Sequence, residues 1–336
     1  LIIGNTGFIG SWLTFYLKYK GYQNIYGISI DKGSSNLQKI ATKNKILKKQ
    51  FKFNALDFNK LEKTIDVIKP KVIYQLAALS LVDQGLKKPF NSFKNNFNLS
   101  LNICEIFSKK KYCNILINFS SDKCYEPSKK EISENHALGG KEPYSLSKAA
   151  SEMILKGYKN LFIKNKKVVI NIRAGNVIGG GDININRIIP DLNSKVFSKK
   201  KKIILTNPNS KRPWLFNFDL LNVLLFLQKK NFNSGLYNFN IGSNNNTSVK
   251  KLVKKYLDVN SLSLNISTSK IPKFENEVIL LKNTNLNKII KINFTSLDTS
   301  LKYIYEWEKN YIEDKRDIFK FIKFQFKKFN MRMRNL

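Results

Sequence analysis

The sequence predicts an α/β protein built on a doubly wound parallel sheet, with a smaller C-terminal domain behind it. Three observations carry this. Short apolar, strand-like runs alternate with helical stretches over the first half of the chain, the pattern of a parallel sheet with helices on both faces. Gly4-x-x-Gly7-x-x-Gly10 follows the first apolar run at once and opens an apolar helix. Small and polar residues cluster where the strand-like runs end, which is where open α/β sheets bind ligands.

Leu1-Ile2-Ile3 reads as the first, buried strand, and further residues are expected to precede it. The glycine turn that follows, with Thr6, Phe8 and Ile9 between the glycines, makes the chain Rossmann-like. Glycine allows the tight turn, and the backbone N–H groups of the next helix can approach a pyrophosphate. A glycine triplet alone is weak evidence; its place between strand and helix strengthens it. A second strand, Ile25 to Ile30, ends in Asp31. That acid stands about 20 residues beyond the glycines, where a ribose diol is held, and it favours NAD over NADP. The competing reading is a solvated loop aspartate, with Lys32 and Ser34 free to receive a phosphate. A short third strand is expected over Phe51–Ala55 and a helix over Leu61–Ile68. The fourth strand runs from Val72 to Ala77 and Ala78, whose small side chains let a cofactor pass close. A helix from Phe90 to Phe107 carries Asn96, suited to holding backbone groups.

The stretch Asn118–Lys148 holds the chemistry. The strand Ile115–Ile117 runs out into Ser120-Ser121-Asp122-Lys123, and Tyr144-x-x-x-Lys148 follows. Positions i and i+4 share a helix face, so Tyr144 and Lys148 point into one cleft. An ammonium beside a phenol pulls its pKa down, making it a usable acid/base. A chance Tyr-x-x-x-Lys on a surface helix is the bland alternative. For Asp122-Lys123 the alternative is a surface ion pair, worth little to stability.

Further on, a helix over Tyr144–Phe162 leads to a strand over Val168–Ile172 and to the glycine-rich loop Arg173–Asp182. Arg187 and Arg212 can grip phosphates. Trp214 can stack on a ligand or pack in the core, packing being the commoner role. Strands are expected at Phe216–Phe218 and Leu236–Ile241, returning to the sheet, with a helix at Asp219–Gln228. The last helix, about Asp314 to Met333, suits packing on its own domain better than lying on a membrane.

The formal net charge is +35, with 59 Lys and Arg against 24 Asp and Glu. Such an excess attracts polyanions. The lysines are scattered, however, and Asn, Ile and Phe are enriched with them, so a compositional habit is the preferred reading and no specific nucleic acid is expected. Three cysteines without a Cys-x-x-Cys pair argue against a zinc site or disulfide framework and for the cytoplasm. With one histidine, no metal site is expected. No run approaches the roughly 20 apolar residues needed to cross a bilayer.

Longer strings resemble the extended short-chain dehydrogenase/reductases and, within them, the CDP-glucose 4,6-dehydratases. These are Thr6-Gly-Phe-x-Gly-Ser-Trp12-Leu, Ser121-Asp-Lys-Cys-Tyr-Glu126, Gly139-Gly-x-x-Pro-Tyr-Ser145, Arg173-Ala-Gly-Asn176-Val-Ile-Gly-Gly-Gly-Asp182 and Arg212-Pro-Trp214, with Leu281-Lys282 and Tyr305-x-Trp307 near the C-terminus. The resemblance implies an NAD-binding Rossmann domain over residues 1–176, with 215–242 returning to it. Residues 177–336 would be mainly a sugar-nucleotide domain. It implies cofactor contacts from Gly4, Thr6, Gly7, Phe8, Ile9, Gly10, Asp31, Asn54, Ala77, Ala78, Asn96, Tyr144 and Lys148. Asn176, Arg187, Arg212 and Trp214 would hold the nucleotide sugar, CDP-glucose for preference.

Tyr144 would take the proton of the sugar 4-hydroxyl as hydride leaves C4 for NAD, with Ser121 hydrogen-bonding that oxygen. Lys123 would remove the C5 proton and Asp122 protonate the departing 6-hydroxyl, before the hydride returns to C6. Deoxysugar and surface-polysaccharide (O-antigen) synthesis and a homodimer are implied too. The chain departs from the family at Asn54, where an aspartate faces adenine, and at Leu79, Asp83, Lys141 and Phe216. An epimerase would need Tyr144 and Lys148 but neither Asp122 nor Lys123. A non-catalytic, polyanion-binding protein of the same fold would bind no NAD.

Overall fold

The computed structural model describes residues 1–31, 33, 35–243, 246–269, 278–313 and 318–330. In chain order the elements begin with β1 (Ile2–Ile3), α1 (Phe8–Tyr19), β2 (Tyr26–Ser29), α2 (Asn36–Lys43), β3 (Lys49–Lys52), α3 (Phe58–Ile68) and β4 (Val72–Gln75). Next come α4 (Val82–Lys87), α5 (Pro89–Lys109), β5 (Ile115–Phe119), α6 (Pro143–Gly157), α7 (Lys159–Lys164) and β6 (Val168–Ala174). The second half holds β7 (Asn176–Ile178), α8 (Ile188–Phe197), β8 (Lys202–Leu205), β9 (Lys211–Phe216), α9 (Asn217–Lys229) and β10 (Gly235–Ile241). It closes with β11 (Asn246–Ser248), α10 (Val249–Val259), β12 (Asn265–Thr268), α11 (Thr284–Asn287), α12 (Leu297–Ile312) and α13 (Ile318–Asn330).

Seven strands form a parallel sheet in the order β10-β6-β5-β4-β1-β2-β3. The central strands are short apolar runs buried on both faces, as a helix-covered parallel sheet demands; β3, at one edge, is more exposed. Two cores result. Leu61, Ile65, Leu99, Ile103, Leu155 and Phe162, from α3, α5, α6 and α7, cover one face. Trp12, Leu37, Leu221, Trp307 and Phe326, from α1, α2, α9, α12 and α13, belong to the larger core on the other. Strand order reverses between β1 and β4, because β2 and β3 extend to one side and β4 to the other. A ligand crevice forms at such a switch point, beyond the strands' C-terminal ends.

Several elements differ from the sequence reading. β3 lies two residues earlier than expected, and α3 starts at Phe58 because the Asp57 side chain accepts from Lys60 N at 3.0 Å. The helix expected over Tyr144–Phe162 divides at Tyr158 into α6 and α7. The strand expected at Phe216–Phe218 is instead β9, ending at Phe216, with Asn217 and Phe218 opening α9. Asp219 in that first turn accepts from Thr295 N and Oγ1, both at 2.8 Å, which ties the helix start to the C-terminal segment. β9 does not join the large sheet. It pairs with β7 in parallel and with β11 antiparallel, while β10 pairs with β6 from Gly235–Val168 to Ile241–Ala174. α13 packs Ile322, Phe326 and Phe329 into the core; the rest of the helix expected there, 314–317 and 331–333, lies outside the described residues.

Candidate active site

The β1–α1 turn is shaped by contact with the loop after β4. Gly4 has φ +89°, and a Cβ there would stand 2.7 Å from Ala77 N. On Gly10 a Cβ would overlap the Gly4 carbonyl oxygen, so α1 lies directly on the turn. Gly7 caps α1 without a side-chain bond, and its own N–H donates to Gly4 O at 3.1 Å. The amides of Phe8, Ile9 and Gly10 therefore open the helix with no helix-internal acceptor, the arrangement that receives a phosphate. Thr6 borders Gly33, bringing the loop after β2 against the turn. Asp31 is exposed there, its Oδ1 accepting from Gly33 N at 2.8 Å. Lys32 and Ser34, the alternative phosphate partners, lie outside the described residues.

The remaining cofactor-side residues divide. Ala77 and Ala78 line the crevice at half burial. Gln75, which the sequence reading passed over, exchanges bonds with the Ala77 backbone, Oε1 with N at 2.9 Å and Nε2 with O at 3.0 Å. Asn96 is buried and does hold backbone. Its Oδ1 accepts from Leu79 N at 3.0 Å, while Nδ2 donates to Leu79 O at 3.1 Å and Ser147 Oγ at 2.8 Å. It thus fixes the post-β4 loop at Leu79. The Asn54 carbonyl, expected to face adenine, already accepts from Leu56 N at 3.1 Å and turns its own chain.

Around Tyr144 the parts converge. Glu142 caps α6, its carboxylate accepting from Tyr144 N at 2.7 Å and Ser145 N at 2.9 Å. Ser121 caps the short 3-10 turn Asp122–Cys124 that leaves β5; its Oγ accepts from Lys123 N at 3.2 Å and donates to Asp122 Oδ1 at 3.0 Å. Ser121 and Asp122 are buried, as are Tyr144 and Lys148, while Lys123 is half-buried. The expected lowering of the Tyr144 pKa by Lys148 is not what the geometry produces. Burial holds the phenol above its ordinary range; a hydrogen bond with Ser121 pulls it back, Asp122 pushes it up, and the Arg187 charge draws it down. Lys148 Nζ instead donates to Phe119 O at 2.8 Å, and burial brings its ammonium down to about 8 against the opposing charge of Glu152.

Glu152 is the next i+4 position on that helix face, and sequence reading missed it. It grips Arg173 of β6 through Nε at 3.0 and 2.9 Å and Nη2 at 2.5 Å, and accepts from Ser120 Oγ. Arg173 Nη1 reaches Tyr125 OH at 2.7 Å and Glu134 O at 2.8 Å, and Tyr125 OH donates to Asn240 Oδ1 at 2.6 Å. This buried network ties β5, α6, β6 and β10 together beneath the site. Its one sequence signal was helical spacing, Lys148 to Glu152.

On the substrate side Arg187 meets the site: Nη1 donates to Asp182 Oδ2 at 2.9 Å and Nη2 to Ser80 Oγ at 3.3 Å. Asn176 lies half-buried in β7, in register with Trp214. Trp214 is buried with its indole N–H donating to Thr247 O at 2.8 Å, the packing role preferred from sequence over stacking on a ligand. Arg212 is buried too, with Nη1 donating to Lys211 O at 2.9 Å, which removes its head from an open phosphate site. Of the departures, Phe216 packs at 5.2 Å from Phe218 and 5.0 Å from Phe329, Asp83 sits in the first turn of α4, and Lys141 is exposed. Among the described residues no His/Cys/Asp/Glu cluster suits a metal, and no helix is long and apolar enough to cross a membrane.

A glycine turn at the switch point of a parallel sheet, with buried Ser121, Tyr144 and Lys148 beside it, is the layout of a Rossmann-type dinucleotide fold. Residues 1–242 match the NAD dependent epimerase/dehydratase family, and the chain belongs to it, with NAD as cofactor. The chain is 29% identical to CDP-glucose 4,6-dehydratase of Salmonella typhimurium over 243 residues, 70% of this chain and 67% of that protein. With dTDP-D-glucose 4,6-dehydratase of Dictyostelium discoideum it is 28% identical over 277 residues, 77% of this chain and 61% of the other. The chain thus spans about two thirds or less of these relatives' lengths. Its fold matches UDP-glucose 4-epimerase of Bifidobacterium longum, solved with NAD+ and UDP, at a TM-score of 0.82 and 17% identity, over 92% of this chain and 97% of that one.

Proposed function

We propose that this protein is a nucleotide-sugar 4,6-dehydratase, a hydro-lyase acting on CDP-glucose to give CDP-4-keto-6-deoxyglucose. The observation that carries the reading is the buried Ser121–Asp122 pair set at the Tyr144 phenol. Oxidising and re-reducing a sugar alcohol needs the phenol, the serine and the lysine. An added buried acid, followed by Lys123, suits an elimination at the neighbouring carbons. The CDP-glucose dehydratase relative supports the choice of substrate.

NAD, held at the glycine turn by the amides opening α1, would supply the hydride acceptor and donor for this chemistry. Tyr144 Oη takes the proton of the 4-hydroxyl while Ser121 Oγ hydrogen-bonds the same oxygen. The resulting 4-ketone acidifies the C5 proton, which Lys123 removes. Asp122 protonates the departing 6-hydroxyl, so water leaves. Lys123 would then return a proton to C5 as C6 is reduced. The amides opening α1 suit the pyrophosphate and Asp31 the ribose; Arg187 suits the substrate's phosphates. The strands of the large sheet, over 1–176 with β10, would bind NAD, and most of 177–336 the sugar nucleotide.

We assign the protein to the cytoplasm and to a homodimer. α5 exposes Phe90, Phe93, Phe97 and Leu101 along one stripe, and α6, packed beside it, exposes Leu146 and Met153. Apolar faces this continuous mark an interface, and a second copy of the same helix pair is its occupant. The second functional reading is a 4-epimerase, favoured by the fold match to UDP-glucose 4-epimerase. Incubation with NAD and CDP-glucose followed by mass analysis separates the two. The dehydratase removes one water without accumulating NADH, and Asp122→Asn stops that loss. Unchanged mass with an inverted C4, unaffected by Asp122→Asn, would establish the epimerase.

A further inference from the structure

The short turn that carries Asp122 and Lys123 is held from α6. β5 stops at Phe119, and Ser120 leads into the 3-10 turn Asp122–Cys124. The Ser120 amide donates to Ile172 O of β6 at 2.8 Å. Two successive residues of this strand end are gripped by side chains one helical turn apart on α6. Lys148 Nζ donates to Phe119 O at 2.8 Å, and Ser120 Oγ donates to Glu152 Oε1. The Cys124 thiol, at the far end of the turn, is hydrogen-bonded to Glu152 and Ser120 as well. Glu152 therefore holds the turn on both sides, at Ser120 before it and at Cys124 after it. Arg173 makes that carboxylate a fixed point, its Nε and Nη2 donating to the two oxygens at 2.5 to 3.0 Å. Charge-assisted bonds of this bidentate kind fix geometry as well as add strength.

We propose that Ser120 and Glu152 are positioning residues for the elimination, setting Asp122 and Lys123 against the sugar that Tyr144 oxidises. This rests on the dehydratase reading, in which the C5–H bond breaks to Lys123 and the C6–O bond breaks as Asp122 protonates the leaving oxygen, releasing water. Oxidation at C4 draws on Tyr144 and Lys148. These are held by Glu142 at Tyr144 N and by the Phe119 carbonyl, and neither bond involves Ser120. Ser121 moves with the turn, so its hold on the 4-oxygen weakens too, but the phenol and the ammonium stay in place. Elimination draws on Asp122 and Lys123 together, and both sit in the turn that the Ser120 hydroxyl ties down. A misplacement of about 1 Å in a reacting group costs on the order of a hundredfold in rate. Loss of that hydroxyl therefore slows the elimination more than the oxidation, and oxidised sugar waits beside reduced cofactor.

The test uses the full chain with NAD and CDP-glucose. Water loss is followed by mass and the reduced cofactor by its near-ultraviolet absorbance. Wild type should lose water with no standing absorbance. In Ser120→Ala, kcat should fall about 10- to 100-fold with KM held, and the absorbance should stand throughout turnover. Ser120→Thr, which restores the hydroxyl, should recover kcat and remove the absorbance. Ser120 is half-buried, and the circular dichroism of both variants should match the wild type. Wild-type kcat in Ser120→Ala, or a lowered kcat with no reduced cofactor standing, would overturn the positioning role and spare the dehydratase reading. A wild type that removes no water would refute that reading, and the role in elimination with it.

Discussion

Replacing Glu152 by alanine should be the most damaging single change beneath the site. Arg173 and Glu152 are both buried, and Glu152 receives the Nε and Nη2 sides of the guanidinium at 2.5 to 3.0 Å. Glu152→Ala leaves a buried cation with its Nη1 contacts to Tyr125 and Glu134 alone. Breaking a buried pair from one side costs about 3–5 kcal/mol, because the orphaned charge keeps its desolvation penalty. Native stabilities of about 5–15 kcal/mol make that a large fraction. Equilibrium urea unfolding followed by circular dichroism measures it. The double variant Glu152→Leu/Arg173→Met, which removes both charges, should recover most of the loss, since apolar replacement of a whole buried pair is often neutral. A loss below about 1 kcal/mol for Glu152→Ala, the range of an exposed pair, would refute the reasoning.

Two further outcomes follow from the same structure. Phe97→Asp places a charge in the exposed stripe of α5 and should yield a folded monomer by analytical ultracentrifugation; a wild-type protein already monomeric at micromolar concentration would remove the interface. For Glu308 of α12, buried and accepting from Gly181 N at 2.9 Å, the unfolded carboxyl releases its proton near 4.5 and the folded one at about 7. The folded state therefore binds the extra proton between those values, and this contribution to stability is full below 4.5 and lost as pH rises to about 7. It is worth roughly 3 kcal/mol. The stability difference between wild type and Glu308→Gln should change by that order across the window, and parallel pH curves for the two proteins would contradict it.

What the sequence showed depended on how local the physics is. Strand runs, the Gly4–Gly10 turn and the Tyr144–Lys148 face are set by neighbours within a few residues, and they were legible. The burial of Arg212 was not legible because it depends on β11 and the β7–β9 pairing, contacts between segments far apart in the chain. Phe216–Phe218 has the composition of a strand, yet Asp219, bonded to Thr295, helps start a helix there. Tyr144 and Lys148 share a face as expected. What the spacing did not reveal was the Phe119 carbonyl that takes the ammonium, or a depth of burial that raises the phenol pKa. Glu142, Gln75, Glu152 and Glu308 are ordinary polar residues in sequence, and only the assembled fold shows what they hold.

The central claim is that one hydride leaves C4 and returns to C6 of the same sugar around a buried acid. The direct measurement is turnover of CDP-glucose carrying deuterium at C4, with NAD, read by mass spectrometry and NMR of the product. The account predicts loss of one water, deuterium at C6 and no NADH in solution. Deuterium kept at C4, or a sugar that retains its water, would contradict it.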